Sequence, residues 1–383
     1  MSLRPRLLVL LLLPGLLPAP APAADSRGAA AALPPVRHVF LLLLENQAYA
    51  KSFAARSPAP YLAQTLTQQG ALLTQYYAIG HASLPNYVAL VSGQAPNEAT
   101  QLDCPRYVDF RPDAPHADAN GQLPGTGCVY PASVRTLPDE LEAAGLTWRG
   151  YMEDMGRDPA RDRPACAHVG VGQHETTHMA RRSDQYAARH NPFVYFHSII
   201  DDAARCDAHV VNLDRLQADL AAVASTPNFV FITPNLCNDG HDEPCVDGRP
   251  GGLKSIDEFL RKWVPLIMAA PAFRADGMLV VTFDESDGEG PDGSSACCGE
   301  QALPGAKYPP GLNGPGGGRI GAVVLSPFVR PGTVSSVPYN HYALLRTIAT
   351  LFGVPPSGYA AAPAARPFGP DVFSAAAPRP PAR

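Results

Sequence analysis

Gly277-Met-Leu-Val-Val-Thr-Phe-Asp-Glu285 is the stretch that decides the fold. Six apolar or β-branched residues run without a polar interruption and then stop at two adjacent carboxylates. A continuous apolar run reads as a strand buried on both faces, which is the habit of parallel sheets in α/β proteins. His38-Val-Phe-Leu-Leu-Leu-Leu44 repeats this grammar near the other end of the chain and stops at Glu45-Asn46. Open α/β sheets place their sites at the carboxyl ends of strands. Glu45, Asn46, Asp284 and Glu285 are therefore expected to meet there. Their oxygen donors suit Mg²⁺, Ca²⁺ or Mn²⁺, and Zn²⁺ enters if histidines join the set. A strand that ends in an acid is by itself commonplace, so the argument needs the further motifs.

Working outward, strands are expected over 36–44, 72–78, 148–152, 228–233, 278–283 and 320–325. Helices are expected over 59–69, 84–91, 134–144, 211–224, 253–269 and 342–352. Strands alternate with helices, which predicts a single α/β domain over 36–362 with a mostly parallel central sheet. Residues 94–130 and 286–318 read as long irregular excursions, and 154–182 as a polar insertion forming a lid or rim. Its His168, His174 and His178 read as solvated. The Ala/Pro-rich residues 363–383 are expected to be disordered.

Arg4 and Arg6, the apolar run 7–17 and the small residues at 21–24 read as an export signal over 1–24, followed by a flexible leader over 25–35. No later stretch is apolar enough for a membrane helix. A secreted or periplasmic protein is expected. The net charge of −5 disfavours nonspecific nucleic-acid binding, and there is no polybasic membrane patch. The chain has eight cysteines, an even number that fits disulfides in an exported protein. Cys104–Cys128, Cys166–Cys206 and Cys237–Cys245 are the pairs that spacing offers. A bond between the neighbours Cys297 and Cys298 would be strained, so each is free to pair elsewhere.

Three more elements carry chemistry. Ser83, in Gly80-His-Ala-Ser-Leu-Pro-Asn-Tyr87, sits where a helix begins. Its hydroxyl either caps that helix or is a nucleophile beside amides and a dipole that favour negative charge. Thr233-Pro-Asn-Leu-Cys-Asn-Asp-Gly-His-Asp242 brings Asp239, His241 and Asp242 to another strand end. That segment is either a surface turn or a source of a general acid. His341, in Tyr339-Asn-His-Tyr342, stands before the last helix, and His190, in His190-Asn-Pro-Phe193, is a further candidate.

In this order the motifs resemble the phosphoesterase family that includes non-haemolytic bacterial phospholipases C and secreted acid phosphatases. The resemblance runs from about residue 36 to 352. It implies an alkaline-phosphatase-like three-layer sandwich and a divalent metal on Glu45, Asn46, Asp284 and Glu285. Ser83 would be nucleophile and further ligand. His241 and His341 would contact the phosphoryl group or move protons, and Asp242 would orient His241. Asn86 would contact a phosphate oxygen; His190 is a substrate-contact candidate from its own motif, outside the resemblance. A second metal would recruit Asp239, His241 or His341. Ser286-Asp-Gly-Glu-Gly290 departs from the histidine- or glycine-rich stretch of the larger phospholipases, and the compact form is closer to the small phosphatases. Hydrolysis of small phosphomonoesters is the expected activity. Cleavage of phospholipid diesters is the alternative, with a phospholipid headgroup as substrate. A non-catalytic metal-site binding protein is the remaining reading.

Overall fold

The computed structural model describes residues 33–374. The expected export signal (1–24), most of the leader (25–35) and residues 375–383 lie outside the described residues. Eight strands form the main sheet: β1 (His38–Leu44), β2 (Ala71–Leu73), β3 (Trp148–Met152), β4 (Val210–Asn212), β5 (Phe229–Thr233), β6 (Gly277–Phe283), β7 (Ala322–Leu325) and β8 (Thr333–Ser335). Their spatial order is β8-β2-β7-β6-β1-β5-β3-β4. Only β7 runs against its neighbours, so the sheet is mostly parallel, as expected.

Register shows why both faces are covered. Phe40 of β1 pairs with Val230 of β5, and Leu41 with Phe231. Paired residues share a face and successive residues alternate, so Phe40 and Phe231 point to opposite sides. Phe40 meets Phe273 of the helix Pro271–Asp276 at 6.2 Å between ring centroids. Phe231 meets Tyr87 of the helix Ser83–Ser92, also at 6.2 Å. Helices therefore lie on each side of the sheet, giving three layers. Every residue of β1, β5 and β6 is buried, which is why none of them shows alternating polarity. The long helix Gly252–Ala269 buries Ile256, Leu260, Trp263, Val264 and Ile267, the three-to-four spacing of one helical face.

Three expectations are corrected. Residues 211–224 are not one helix. Val210–Asn212 is the edge strand, and the Asn212 side chain then accepts the Asp214 amide to start a short helical turn. An amphipathic pattern satisfied the helical period, but the strand's pairing with β3 overrides it. Cys297 and Cys298 are bonded to each other, while the other three pairs are the ones spacing suggested. Residues 363–374 are ordered on the core rather than disordered. Phe368 is buried against Tyr339, its amide donates to Thr347 Oγ1 at 2.8 Å, and Asp371 accepts the Tyr339 hydroxyl at 2.9 Å. Composition hid this, because a few aromatic anchors suffice to hold an Ala/Pro-rich strand of chain.

Phe368→Ala tests that anchoring. Truncating a fully buried aromatic costs about 3–5 kcal/mol, and chemical denaturation should show a loss of that order. A surface variant such as Arg366→Ala should show almost none.

Candidate active site

β6, β1 and β5 lie side by side at the centre of the sheet. Past their carboxyl ends the backbones stay tied. Asp284 N donates to Leu44 O at 2.8 Å, and Glu45 N donates to Asp239 O at 2.9 Å. The loop after β5 is shaped by Asn235, whose side-chain oxygen accepts the amides of Cys237 and Asn238. Glu153, just beyond β3, accepts Asn235 N and Asn238 Nδ2. The Cys237–Cys245 disulfide closes the loop. Glu45, Asp239 and Asp284 thus reach one place on fixed backbone, and all three are fully buried.

Ser83 Oγ donates to Glu45 Oε2 at 2.8 Å, and the Tyr87 hydroxyl donates to Glu45 Oε1. Ala82, not Ser83, occupies the helix-cap position, at φ +70°. The hydroxyl is therefore spent on Glu45 and not on the helix end. The Tyr87 ring stacks on His190 with centroids 5.3 Å apart. His190 Nδ1 lies 3.1 Å from Asp239 Oδ2, and its Nε2 lies 3.4 Å from Glu45 Oε2. One ligand atom each from Glu45, His190 and Asp239 falls within 4.8 Å of the others. With Nδ1–H donating to Asp239, Nε2 is left as a lone pair facing a carboxylate oxygen and has no hydrogen-bond partner. Asp284 Oδ1 accepts the amides of Asn46 and Glu285, while its buried Oδ2 has no partner either.

The electrostatics agree with that geometry. Burial, then the charges of Asp284 and Asp239, holds the Glu45 carboxyl well above the usual range. Burial raises Asp239 and Asp284 as well. Burial, helped by the nearby Arg189 charge, pushes the His190 imidazole well below its ordinary value. Several acids and a neutral imidazole, with unpartnered acceptors turned inward, are what a cation would offset. The residues fit a divalent metal.

The other expected residues separate into two groups. His241 Nδ1 meets Asp242 Oδ1 at 2.8 Å, and the His241 side chain is 31% exposed at the rim. Asn46 enters through its backbone amide, at φ +53°. Glu285 faces His81, which binds its Oε2 through Nδ1 and Gly293 O through Nε2 at 2.6 Å. Asn86 does not reach for substrate. Its Oδ1 accepts the amides of Ile79 and Gly80, and its Nδ2 donates to the carbonyls of Gly80 and Ala82. It moulds the loop that presents Ser83. His341 is fully buried, with Nε2 2.7 Å from the Asp284 carbonyl and Nδ1 3.2 Å from the Tyr76 hydroxyl. Both nitrogens are engaged, so it props Asp284 and does not face the rim. His190 lies inside the carboxylate cluster, where a substrate contact was expected.

Four participants were not singled out by sequence. Tyr87 and His81 sat within the quoted serine motif without a role. Arg189 had no signal beyond preceding His190. Asp103 lies in the irregular excursion and accepts the Leu84 amide at 2.9 Å.

A model of the phosphoesterase family matches residues 45–355. The chain belongs to this family. A phosphatidylinositol-3-phosphatase of Mycobacterium tuberculosis is 27% identical over 338 residues, covering 87% of this chain and 82% of that protein. A probable acid phosphatase of Kluyveromyces lactis is 26% identical over 264 residues, covering 69% of this chain and 50% of that protein. The chain spans about half the length of the fungal relatives it matches. A Vibrio parahaemolyticus protein of the alkaline phosphatase superfamily has a similar structure, with TM-score 0.48 and 13% identity, over 90% of this chain and 73% of that one.

The His341 prop carries a pH prediction. Burial lowers its pKa to about 4, below the unfolded value of about 6.5. The stabilisation of the neutral ring is complete above that unfolded value and is lost as pH falls from it towards the folded value. On the order of 3 kcal/mol is at stake across that interval. Denaturation of metal-free protein at neutral pH and near pH 4 should show His341→Gln narrowing the acid loss relative to wild type.

Proposed function

We propose that this chain is a metal-dependent phosphatase that hydrolyses phosphomonoesters with Ser83 as nucleophile. The observation that carries this is the Ser83 hydroxyl held 2.8 Å from Glu45 Oε2, inside a buried acidic cluster with inward-facing unpartnered atoms. Glu45, Asp284, Asp239 and His190 would hold a divalent cation. One imidazole among carboxylates brings Zn²⁺ into range beside Mn²⁺ and Mg²⁺. Bound there, the cation would draw negative charge from the serine oxygen and the phosphoryl oxygens.

The chain's own residues supply the rest. The Ser83 O–H is aimed at Glu45 Oε2, which fixes its direction and leaves a lone pair for phosphorus. Attack passes the Oγ proton to Glu45 Oε2, forms the Oγ–P bond and breaks the P–O bond to the leaving alkoxide, giving a phosphoserine. His241, at the rim and oriented by Asp242, supplies the proton to that alkoxide. A water then attacks phosphorus, gives one proton to His241, and displaces Ser83 Oγ, which takes its proton back from Glu45. The four disulfides support action in an oxidising compartment, outside the cell or in the periplasm. No helix among the described residues is long and apolar enough to cross a membrane. Likeness to the Mycobacterium tuberculosis phosphatidylinositol-3-phosphatase supports a second source of the same bond, a phosphomonoester carried on a lipid headgroup.

Purified protein should hydrolyse p-nitrophenyl phosphate and lose that activity to a chelator. Ser83→Ala should lower kcat by about 10³-fold or more while its circular dichroism and bound metal stay close to wild type. Turnover surviving in Ser83→Ala would remove the nucleophile assignment. Asp284→Asn and Glu45→Gln should lower metal content measured by elemental analysis, and unchanged content would remove them as ligands.

A further inference from the structure

Arg189 is a buried cation that the hydrolytic steps do not use. It is 4% exposed and precedes His190 in the cluster. Its NH2 group donates to His241 Nε2 at 3.1 Å, and its NH1 group meets the His178 carbonyl at 3.3 Å. Its Nε stands 3.8 Å from Asp103 Oδ2, too far for a hydrogen bond. A guanidinium carries more N–H donors than these contacts consume.

The position is informative. Asp103 uses its other oxygen on the amide of Leu84, directly after Ser83. His190 faces the same Glu45 oxygen that accepts the Ser83 hydroxyl. Arg189 therefore stands between the serine helix on one side and His241 on the other. Its charge is felt across the site, because it partly offsets the burial that raises the carboxyls of Asp239 and Glu285. A structural ion pair would close on its partner with a short two-pronged contact. This one stays open towards Asp103 and instead leans on a partly exposed imidazole.

We infer that Arg189 is the specificity residue of the site, binding the non-bridging oxygens of a terminal phosphoryl dianion through its open guanidinium edge, and so favouring phosphomonoesters over diesters. This rests on the serine phosphatase reading above. A monoester presents three terminal oxygens and two charges, and a planar fork can take two of those oxygens at once. A diester has lost one oxygen and one charge to its second ester group. The same contact draws NH2 away from His241 Nε2.

The test uses binding as well as turnover. In a Ser83→Ala background, calorimetry with inorganic phosphate and with diethyl phosphate is compared before and after Arg189→Met. Inorganic phosphate should weaken at least tenfold, and diethyl phosphate should change by much less. Arg189→Lys, which keeps the charge and loses the fork, should recover only part of the loss. In the Ser83-containing enzyme, Arg189→Met should raise KM for p-nitrophenyl phosphate, with a smaller fall in kcat. Equal effects on both ligands, or no effect on inorganic phosphate with the thermal melt retained, would overturn the assignment. If Arg189→Met fails to fold, the Lys variant decides alone: wild-type phosphate affinity with wild-type ligand preference would overturn it. Phosphate binding that depends on Arg189 in a protein without turnover would sink the serine phosphatase reading and leave this one standing.

Discussion

Carboxyl groups without solvent do not tolerate one another. Glu45, Asp239 and Asp284 are fully buried at adjacent strand ends; Asp284 raises the cost of ionising both Glu45 and Asp239, and Asp239 raises that of Glu45. A fold selected for stability alone would fill this volume with apolar side chains, because unpaired buried charge is among the most destabilising things a core can hold. The surrounding structure is therefore arranged to donate to these acids wherever a donor can be found. Tyr87 and Ser83 give hydroxyls to Glu45, and Asn46 and Glu285 give amides to Asp284. What remains after those donations is the pair of unpartnered atoms, Asp284 Oδ2 and His190 Nε2. The family's phosphoester chemistry and this residual demand for positive charge point to the same volume.

Much of the scaffold exists to keep that volume in register. The ties from Leu44 to Asp284 and from Asp239 to Glu45 continue the sheet's hydrogen bonding past the strand ends. Asn86 knots the loop before Ser83 using both ends of its amide, and His341 bears on the Asp284 carbonyl from the start of the last helix. None of these groups has a free polar atom to offer a substrate. Their value is positional, since catalysis by arrangement needs side chains held to a fraction of an ångström.

The sequence made the central strands legible because a fully buried parallel strand has no polar residues to blur it. It directed attention to Glu45, Asp284, His241 and Asp242 because polar residues after such runs lie at one edge of the sheet, and to Ser83 because it stands where a helix begins. It did not distinguish residues that line the site from residues that hold it. Asn86 and His341 look like ligands in a motif, and only the saturation of their hydrogen bonds shows otherwise. Arg189 and Asp103 were illegible for the opposite reason. They lie in irregular chain whose path is set by disulfides and long-range packing, and no periodicity reports either. The ordered residues 363–374 were hidden similarly, since Phe368 is a single anchor in an otherwise featureless composition.

The insertion over 154–182 reads from the sequence as a lid or rim. A lid needs a segment with little burial and few contacts, so that opening is cheap. This one is fastened. Arg161 and Asp184 form an ion pair at 3.2 Å with neither side chain exposed, and breaking a buried pair of that kind costs about 3–5 kcal/mol. Cys166–Cys206 pins its middle to the helix Ala203–His209, and Gln185 O accepts the Leu236 amide of the loop that carries Asp239 and His241. The segment is a wall rather than a door. A wall explains how Arg189 and His190 can be delivered into the acidic cluster from irregular chain: rigidity supplied elsewhere in the molecule by the sheet is supplied here by a disulfide and a buried ion pair.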